Sequence, residues 1–164
     1  MTRQRALSTA RTEVNRVRRS AALETYREHD DIVEGWIWVA SKSTRTCALC
    51  LAMDGTVMKL KEDFPQHVNC RCTLRAKLIG VEPRQRQTGS EYFNELSDDD
   101  KKKVLGQTGF DAYKRGEVEL KDFVAFKYDK RFGKSVTRKP LGKIVADKGE
   151  IRGIDKSRNI LGRR

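Results

Sequence analysis

The chain has 164 residues, 37% hydrophobic and 7% aromatic, and this composition allows one compact domain with appendages rather than two full domains. Lys and Arg number 35 against 23 Asp and Glu, so the net charge of +12 predicts polyanionic partners, nucleic acid first. No stretch approaches the roughly 18 apolar residues of a membrane span, and no apolar signal core follows the basic N-terminus. We therefore expect a chain that is not exported and has no membrane partner.

An amphipathic helix is the first predicted element. Apolar residues recur near the N-terminus at spacings of three and four, and arginines occupy the other faces. The apolar stripe consists of Leu7, Ala10, Val14, Val17 and Ala21. We expect the helix to pack on the core with its arginines in solvent; direct contact of these arginines with a polyanion is the alternative.

Three short strands are predicted after this helix. Residues 35–40 are bulky β-formers without polar interruption, residues 56–60 alternate weakly, and residues 73–79 alternate apolar with basic side chains. Trp36 and Trp38 share one face of the first strand, where we expect core anchors rather than a base-stacking platform.

Five candidate metal ligands fall on the loops between these strands. Cys47 and Cys50 form a C-x-x-C pair, and Cys70 and Cys72 form a C-x-C pair close behind His67. This grouping favours structural zinc over two disulfides, because structural disulfides are rare in the reducing compartment expected for an unexported chain. We prefer Cys47, Cys50, His67 and Cys70 as ligands. An all-cysteine site that uses Cys72 is the alternative.

No catalytic constellation accompanies the metal motif. Four protein ligands would leave no coordination position for an activated water, so the metal is expected to stabilise the fold. The sequence has two histidines and lacks a G-x-S-x-G, P-loop or Rossmann fingerprint. We therefore predict that the protein is not an enzyme.

The C-terminal half is predicted to be a linker, a helical segment and a basic tail. Ser97 and the three aspartates after it are typical of a helix start, and residues 120–127 place apolar side chains at helical spacing. The tail holds +8 of the +12 charge, with 12 Lys and Arg against 4 Asp and Glu. It is predicted to be a solvated end, a phosphate-binding arm, or both. Its candidate nucleic-acid contacts are Lys130, Arg131, Lys134, Arg138, Lys139 and Lys143.

The fold prediction is α+β, with an N-terminal amphipathic helix and short strands around a structural zinc site, then a helical segment and the basic tail. Its parts are a helix plus zinc-stabilised core (1–82), a linker (83–90), a helical segment of the same domain (91–128) and the tail (129–164).

The order and spacing of several motifs resemble the phage head morphogenesis domain of Mu F-like minor head proteins over residues 6–126. The motifs are Ala10-Arg11-Thr12-Glu13 with Asn15, Gly35-Trp36, Thr44-Arg45-Thr46-Cys47-Ala48-Leu49-Cys50, Asp54-Gly55 and His67-Val68-Asn69-Cys70-Arg71-Cys72-Thr73-Leu74. The resemblance implies a low-copy structural protein inside the head near the portal, assembled in the host cytoplasm. Its implied partners are portal or other capsid proteins, and duplex DNA bound without sequence preference. The alternative is a zinc-stabilised DNA-processing enzyme or phage-borne toxin.

Overall fold

The computed structural model describes residues 2–43, 45–130 and 133–152. The helices are α1 (Arg3–Glu28), α2 (Ala48–Met53), α3 (Gly89–Glu95), α4 (Asp98–Leu105), α5 (Gln107–Lys114) and α6 (Leu141–Arg152), with a 3-10 turn at Leu120–Phe123. The strands are β1 (Val33–Val39), β2 (Val57–Lys59), β3 (Thr73–Leu78), β4 (Val124–Asp129) and β5 (Gly133–Arg138). The predicted α+β class is confirmed. No helix of the described part combines the length and apolar character that a membrane span requires.

The first sheet has the order β2-β1-β3, with both neighbours antiparallel to the central strand. Trp36 and Trp38 lie on one face of β1, fully buried, as predicted for core anchors. Phe64 stacks on both indoles, with ring centroids 4.0 Å from Trp38 and 5.4 Å from Trp36. This aromatic group packs the loop that leads to His67 against the sheet.

Helix α1 packs on the core through a different face from the one predicted. The interior residues of α1 are Arg19 and Leu23, 3% and 2% exposed. The apolar stripe points to solvent, with Leu7 48%, Val14 66% and Val17 68% exposed. The prediction that this stripe packs on the core is therefore wrong. Polar side chains on the opposite face bind the loop after His67, and these contacts decide which face turns inward.

Short helix α2 joins two hydrophobic cores. Leu49, Cys50 and Met53 pack with the tryptophans, whereas Ala48 and Leu51 pack with α3, α4, α5 and α6. The sequence analysis placed both cysteine pairs on loops, but Cys50 lies within α2 and Cys47 caps its start. One turn of helix therefore links the cysteine cluster to the C-terminal helices.

Strands β4 and β5 pair antiparallel in a second, two-stranded sheet. The predicted helical stretch over 120–127 is wrong beyond Phe123, because the chain leaves a single 3-10 turn and continues as β4. Val136 of β5 is 1% exposed within the tryptophan core, and β5 bonds to Gln66 through Gln66 N to Lys134 O (3.2 Å) and Val136 N to Gln66 O (3.0 Å). Residues 133–138, part of the predicted tail, are thus built into the core beside the ligand loop.

Candidate metal centre

The structure brings all five predicted ligands together. Cys47, Cys50 and His67 form one group, and Cys50, Cys70 and Cys72 form a second, with the ligand atoms of each group within 4.8 Å of one another. Cys50 belongs to both groups. All four cysteines are free thiols. The cluster can therefore hold one metal ion, as the sequence spacing predicted.

Donor spacing fits a tetrahedral ion. Bonds of about 2.3 Å to sulfur and about 2.0 Å to nitrogen imply ligand separations of about 3.8 Å for two sulfurs and about 3.5 Å for sulfur and nitrogen. The Cys50 and Cys70 sulfurs are 3.8 Å apart, and Cys47 Sγ lies 3.6 Å from His67 Nε2. The Cys50 Sγ to His67 Nε2 distance of 2.9 Å is shorter, so an ion between them would need a small opening of this pair.

Hydrogen bonds within the cluster shift the pKa values of the cysteine thiols in opposite directions. A hydrogen bond from Cys50 and contact with His67 lower the pKa of Cys47 to about 4, against the opposing effect of burial. Hydrogen bonds from Cys50 and Cys72 likewise lower the pKa of Cys70. The contact with Cys50 lowers the pKa of Cys72, but hydrogen bonding to Cys70 and burial outweigh it and raise that pKa to about 12. Hydrogen bonding to Cys47 and Cys70 raises the pKa of Cys50 as well, so the contacts among the four sulfurs lower the pKa of Cys47 and Cys70 and raise that of Cys50 and Cys72.

The orientation of His67 suits ligation through Nε2. Its Nδ1 lies 2.9 Å from the carbonyl oxygen of Val68, which can only accept a hydrogen bond. Nδ1 therefore donates to this carbonyl, and Nε2 is the ring nitrogen that faces the sulfurs, an arrangement common to metal-binding histidines.

Four polar side chains of α1 hold the loop that carries Cys70 and Cys72. Asn15 Nδ2 donates to the Cys70 carbonyl (2.9 Å), the Asn69 amide donates to Thr12 Oγ1 (2.9 Å), and Arg11 donates to the Asn69 side chain. Asn69 has a φ of 62°, a left-handed conformation that asparagine tolerates well. Together with Arg19, these residues form an inward polar stripe on the helix. The sequence analysis recorded Arg11, Thr12 and Asn15 as part of a motif but assigned them no contact.

Arg19 is the most buried of these four. Its guanidinium donates to the Cys72 carbonyl (2.6 and 3.0 Å), the Cys70 carbonyl (3.3 Å) and Gln66 Oε1 (2.9 Å), and stacks 4.3 Å from the Phe64 ring centroid. No carboxylate of the described residues is among its partners. A divalent ion with three thiolates and one neutral imidazole carries one negative charge, which the adjoining guanidinium offsets. The buried cation thus offsets negative charge that thiolate ligands would leave on the metal centre.

The segment before Cys47 is fixed by two buried polar groups. Thr46 Oγ1 hydrogen-bonds Ser41 Oγ (2.9 Å) and the Ser43 amide (3.1 Å). Asp54 accepts from the Ala40 amide (2.7 Å) and pairs with the Lys42 ammonium (2.9 Å). These bonds hold the first cysteine pair at the end of β1. Asp54 of the Asp54-Gly55 motif therefore has a structural role.

A cavity of ≈ 130 Å³ opens beside the cluster and is bordered by Arg45 and Arg71. Burial lowers the pKa of Arg71, and the positive charges of Arg11 and Arg45 lower it further. No carboxylate pairs with these three arginines within the described residues. The rim of the metal centre is therefore positively charged.

The predicted nucleic-acid residues differ in their local contacts. Lys134 pairs with Glu62 (3.0 Å), Lys139 pairs with Asp147 (2.5 Å), and Arg138 donates to the Leu105 carbonyl and lies over Phe123. Lys130 and Lys143 are exposed and make no ion pair within the described part of the chain. Arg131 lies outside the described residues.

Comparison with known families supports the sequence resemblance. The family described as Phage Mu protein F like protein matches residues 1–75, which span α1, the first sheet up to β3 and all five candidate ligands. The chain matches no curated protein and no solved structure significantly. The match confirms the resemblance to the Mu F-like family that the cysteine and histidine block indicated.

Proposed function

We propose that the chain is a minor structural protein of a tailed-phage head, located near the portal, that assists head assembly and contacts packaged DNA. The family match carries the proposal, because the matched residues 1–75 contain every candidate ligand and the α1 side chains that hold the ligand loop. The match therefore covers the part of the chain that builds the candidate metal centre.

We infer that the bound ion is zinc, held by Cys47, Cys50, His67 and Cys70. Thiolate and imidazole donors at tetrahedral spacing are the set that zinc prefers. Four protein ligands close the coordination shell, so the ion links α2 to the loop of residues 67–72 and has no position for a reacting water. The proposed role is structural and not catalytic.

Contact with DNA is proposed from charge. The chain carries +12 overall, and cationic groups that have no carboxylate partner among the described residues lie both at the rim of the metal centre and at Lys130 and Lys143. Such groups bind phosphates regardless of base sequence, so we expect duplex binding that weakens steeply with salt.

Quantitative mass spectrometry of purified particles tests the head assignment. We expect the chain at low copy number in heads separated from tails, enriched with the portal after the capsid shell is dissociated. Its absence from particles would contradict the proposal. Cleavage of plasmid DNA by the purified chain, lost in a point variant that keeps its fold and zinc, would instead support the DNA-processing alternative.

A further inference from the structure

Helix α1 exposes an apolar stripe on the side opposite the metal centre. Leu7, Val14 and Val17 are 48%, 66% and 68% exposed, and Ala10 and Ala21 between and after them are exposed as well. The stripe runs about 21 Å along the helix. Its side chains are largely exposed in the described structure, and the helix is held from its other side by Asn15 and Arg19.

The spacing of the stripe is that of a coiled-coil seam. The steps from Leu7 to Ala21 are three, four, three and four residues, an average of 3.5 rather than the 3.6 of a helix packed on a globular core. Leu7, Val14 and Ala21 occupy the a positions of a heptad, and Ala10 and Val17 occupy the d positions. Arg19 falls at f, the position farthest from the seam. The contacts that hold α1 on its own domain therefore leave the seam accessible.

Charged residues beside the seam favour a second copy of α1 as the partner, in parallel orientation. In this register Glu13 is a g residue, and Arg18 is the e residue of the next heptad. In a parallel pair, g of one helix lies beside that e position of the other, so Glu13 meets the partner subunit's Arg18. In an antiparallel pair the e positions face each other, and arginines would meet arginines. The intramolecular pair of Glu13 with Arg16 is long (3.6 Å) and half exposed, so it is readily exchanged.

We propose that the outer face of α1 is a self-association surface, on which a second copy of this chain pairs in parallel through Leu7, Ala10, Val14, Val17 and Ala21. Arg3 and Glu24 occupy the next d positions and end the seam, so the interface is short and the association is weak. Because each domain is attached near the f position, the two domains lie on opposite sides of the helix pair. The proposal does not depend on the head assignment.

Sedimentation velocity of the zinc-loaded full chain, from about 10 μM to about 1 mM, tests self-association. We expect a dimer that grows with concentration, and a rise in Kd on the order of tenfold or more for Val14→Glu, since a charge replaces a buried a residue. Val81→Glu is the matched control, because Val81 is 55% exposed and lies outside α1. Circular dichroism and zinc content should be unchanged in both variants. A chain that stays monomeric at 1 mM, or a dimer indifferent to Val14→Glu, would overturn the proposal.

A charge-exchange double-mutant cycle tests whether the two α1 helices are parallel. Glu13→Arg and Arg18→Glu should each weaken the dimer, and the double variant should restore it, because the pair is re-formed with opposite signs. In an antiparallel dimer Arg18→Glu would relieve repulsion and strengthen association. Strengthening by Arg18→Glu alone would therefore overturn the parallel arrangement.

Discussion

Cys72 distinguishes the two possible ligand sets. It belongs to the all-cysteine set and is absent from the preferred set of Cys47, Cys50, His67 and Cys70. We expect Cys72→Ser to retain close to one zinc per chain, while Cys50→Ser, which removes the sulfur shared by both groups, loses it. Elemental analysis after dialysis measures both. Loss of zinc from Cys72→Ser with full retention by His67→Ala would establish the all-cysteine site instead.

Arg19 is expected to matter for stability as much as a ligand does. Replacing it by leucine removes the guanidinium donor from the Cys72 carbonyl and Gln66 Oε1 in a buried site and leaves the Cys70 carbonyl with Asn15 alone, so we expect a loss of about 3 kcal/mol in the free energy of unfolding. Arg19→Lys keeps the positive charge but not the planar guanidinium, so its free energy of unfolding should fall by less than that of the leucine variant. Urea denaturation of the zinc-loaded protein measures both.

Arg16→Leu is the control for this experiment. Arg16 lies on the same helix, is half exposed and makes only a 3.6 Å contact with Glu13, so its replacement should stay within about 0.5 kcal/mol of the parent. Equal effects of Arg16→Leu and Arg19→Leu would show that the loop does not depend on the buried guanidinium.

The ligands were predictable from sequence, but their supports were not. Short cysteine spacings are local, and they indicate a metal whatever surrounds them. Arg19 is separated from Cys70 and Cys72 by about 50 residues of chain, and an arginine on an amphipathic helix is normally a surface group. A signal does exist in retrospect: Arg11, Asn15 and Arg19 recur every four residues, which aligns three polar side chains on one helix face.

Among the elements, α1 and β4 show how tertiary contacts override periodicity. The α1 helix was predicted correctly, but its apolar stripe was assigned to the wrong side because an apolar helix face usually packs on a core. At residues 120–127 helical spacing suggested a helix, and pairing of β4 with β5 made a strand instead. Helix α4 was predicted well, because Ser97 and Gly106 bound it with local caps.

The contact between α2 and α3 leaves no space for a side chain at Gly89. A Cβ there would lie 2.2 Å from the Leu51 carbonyl oxygen and 2.8 Å from the Leu51 Cα, both backbone atoms. We expect Gly89→Ala to cost about 1–3 kcal/mol of unfolding free energy, since α3 must move away from α2. Thermal unfolding monitored by circular dichroism measures it.

Gly142→Ala is the matched substitution. Gly142 lies in α6 with no heavy atom near the position of an added Cβ, so alanine should be neutral or slightly stabilising there. A Gly89→Ala protein as stable as the Gly142→Ala protein would show that α3 is not closely packed on α2.

For the molecule as a whole, the first part of the basic tail is inseparable from the core. Val136 packs with the tryptophans and Ile144 packs with the C-terminal helices. Deletion from residue 129 would therefore unfold the protein and could not test DNA binding. The charge count from sequence was correct, but it could not reveal that Lys134, Arg138 and Lys139 are engaged in internal contacts.

Point substitutions test whether the lysines without an ion pair contribute more to DNA binding than the ion-paired lysines do. Lys130→Gln with Lys143→Gln removes two lysines that have no ion pair in the described chain, and Lys134→Gln with Lys139→Gln removes two ion-paired lysines, so both variants lose the same charge. If the free lysines neutralise phosphates, the first variant should bind a labelled duplex more weakly, with the slope of log K against log salt reduced by about 2, and the second should change much less. Residues 153–164 carry four Lys and Arg against one Asp. Their removal measures separately how much this part of the tail contributes to DNA binding.

Fluorescence anisotropy at several salt concentrations gives each slope. Equal binding by the parent, both double variants and the truncated chain would assign DNA contact to other cations, of which Arg45 and Arg71 at the rim of the metal centre are the first to replace. If no variant binds DNA even at low salt, the positive charge serves an acidic protein surface instead, because a surface of +12 that neutralised phosphates would retain measurable affinity when counterion release is most favourable.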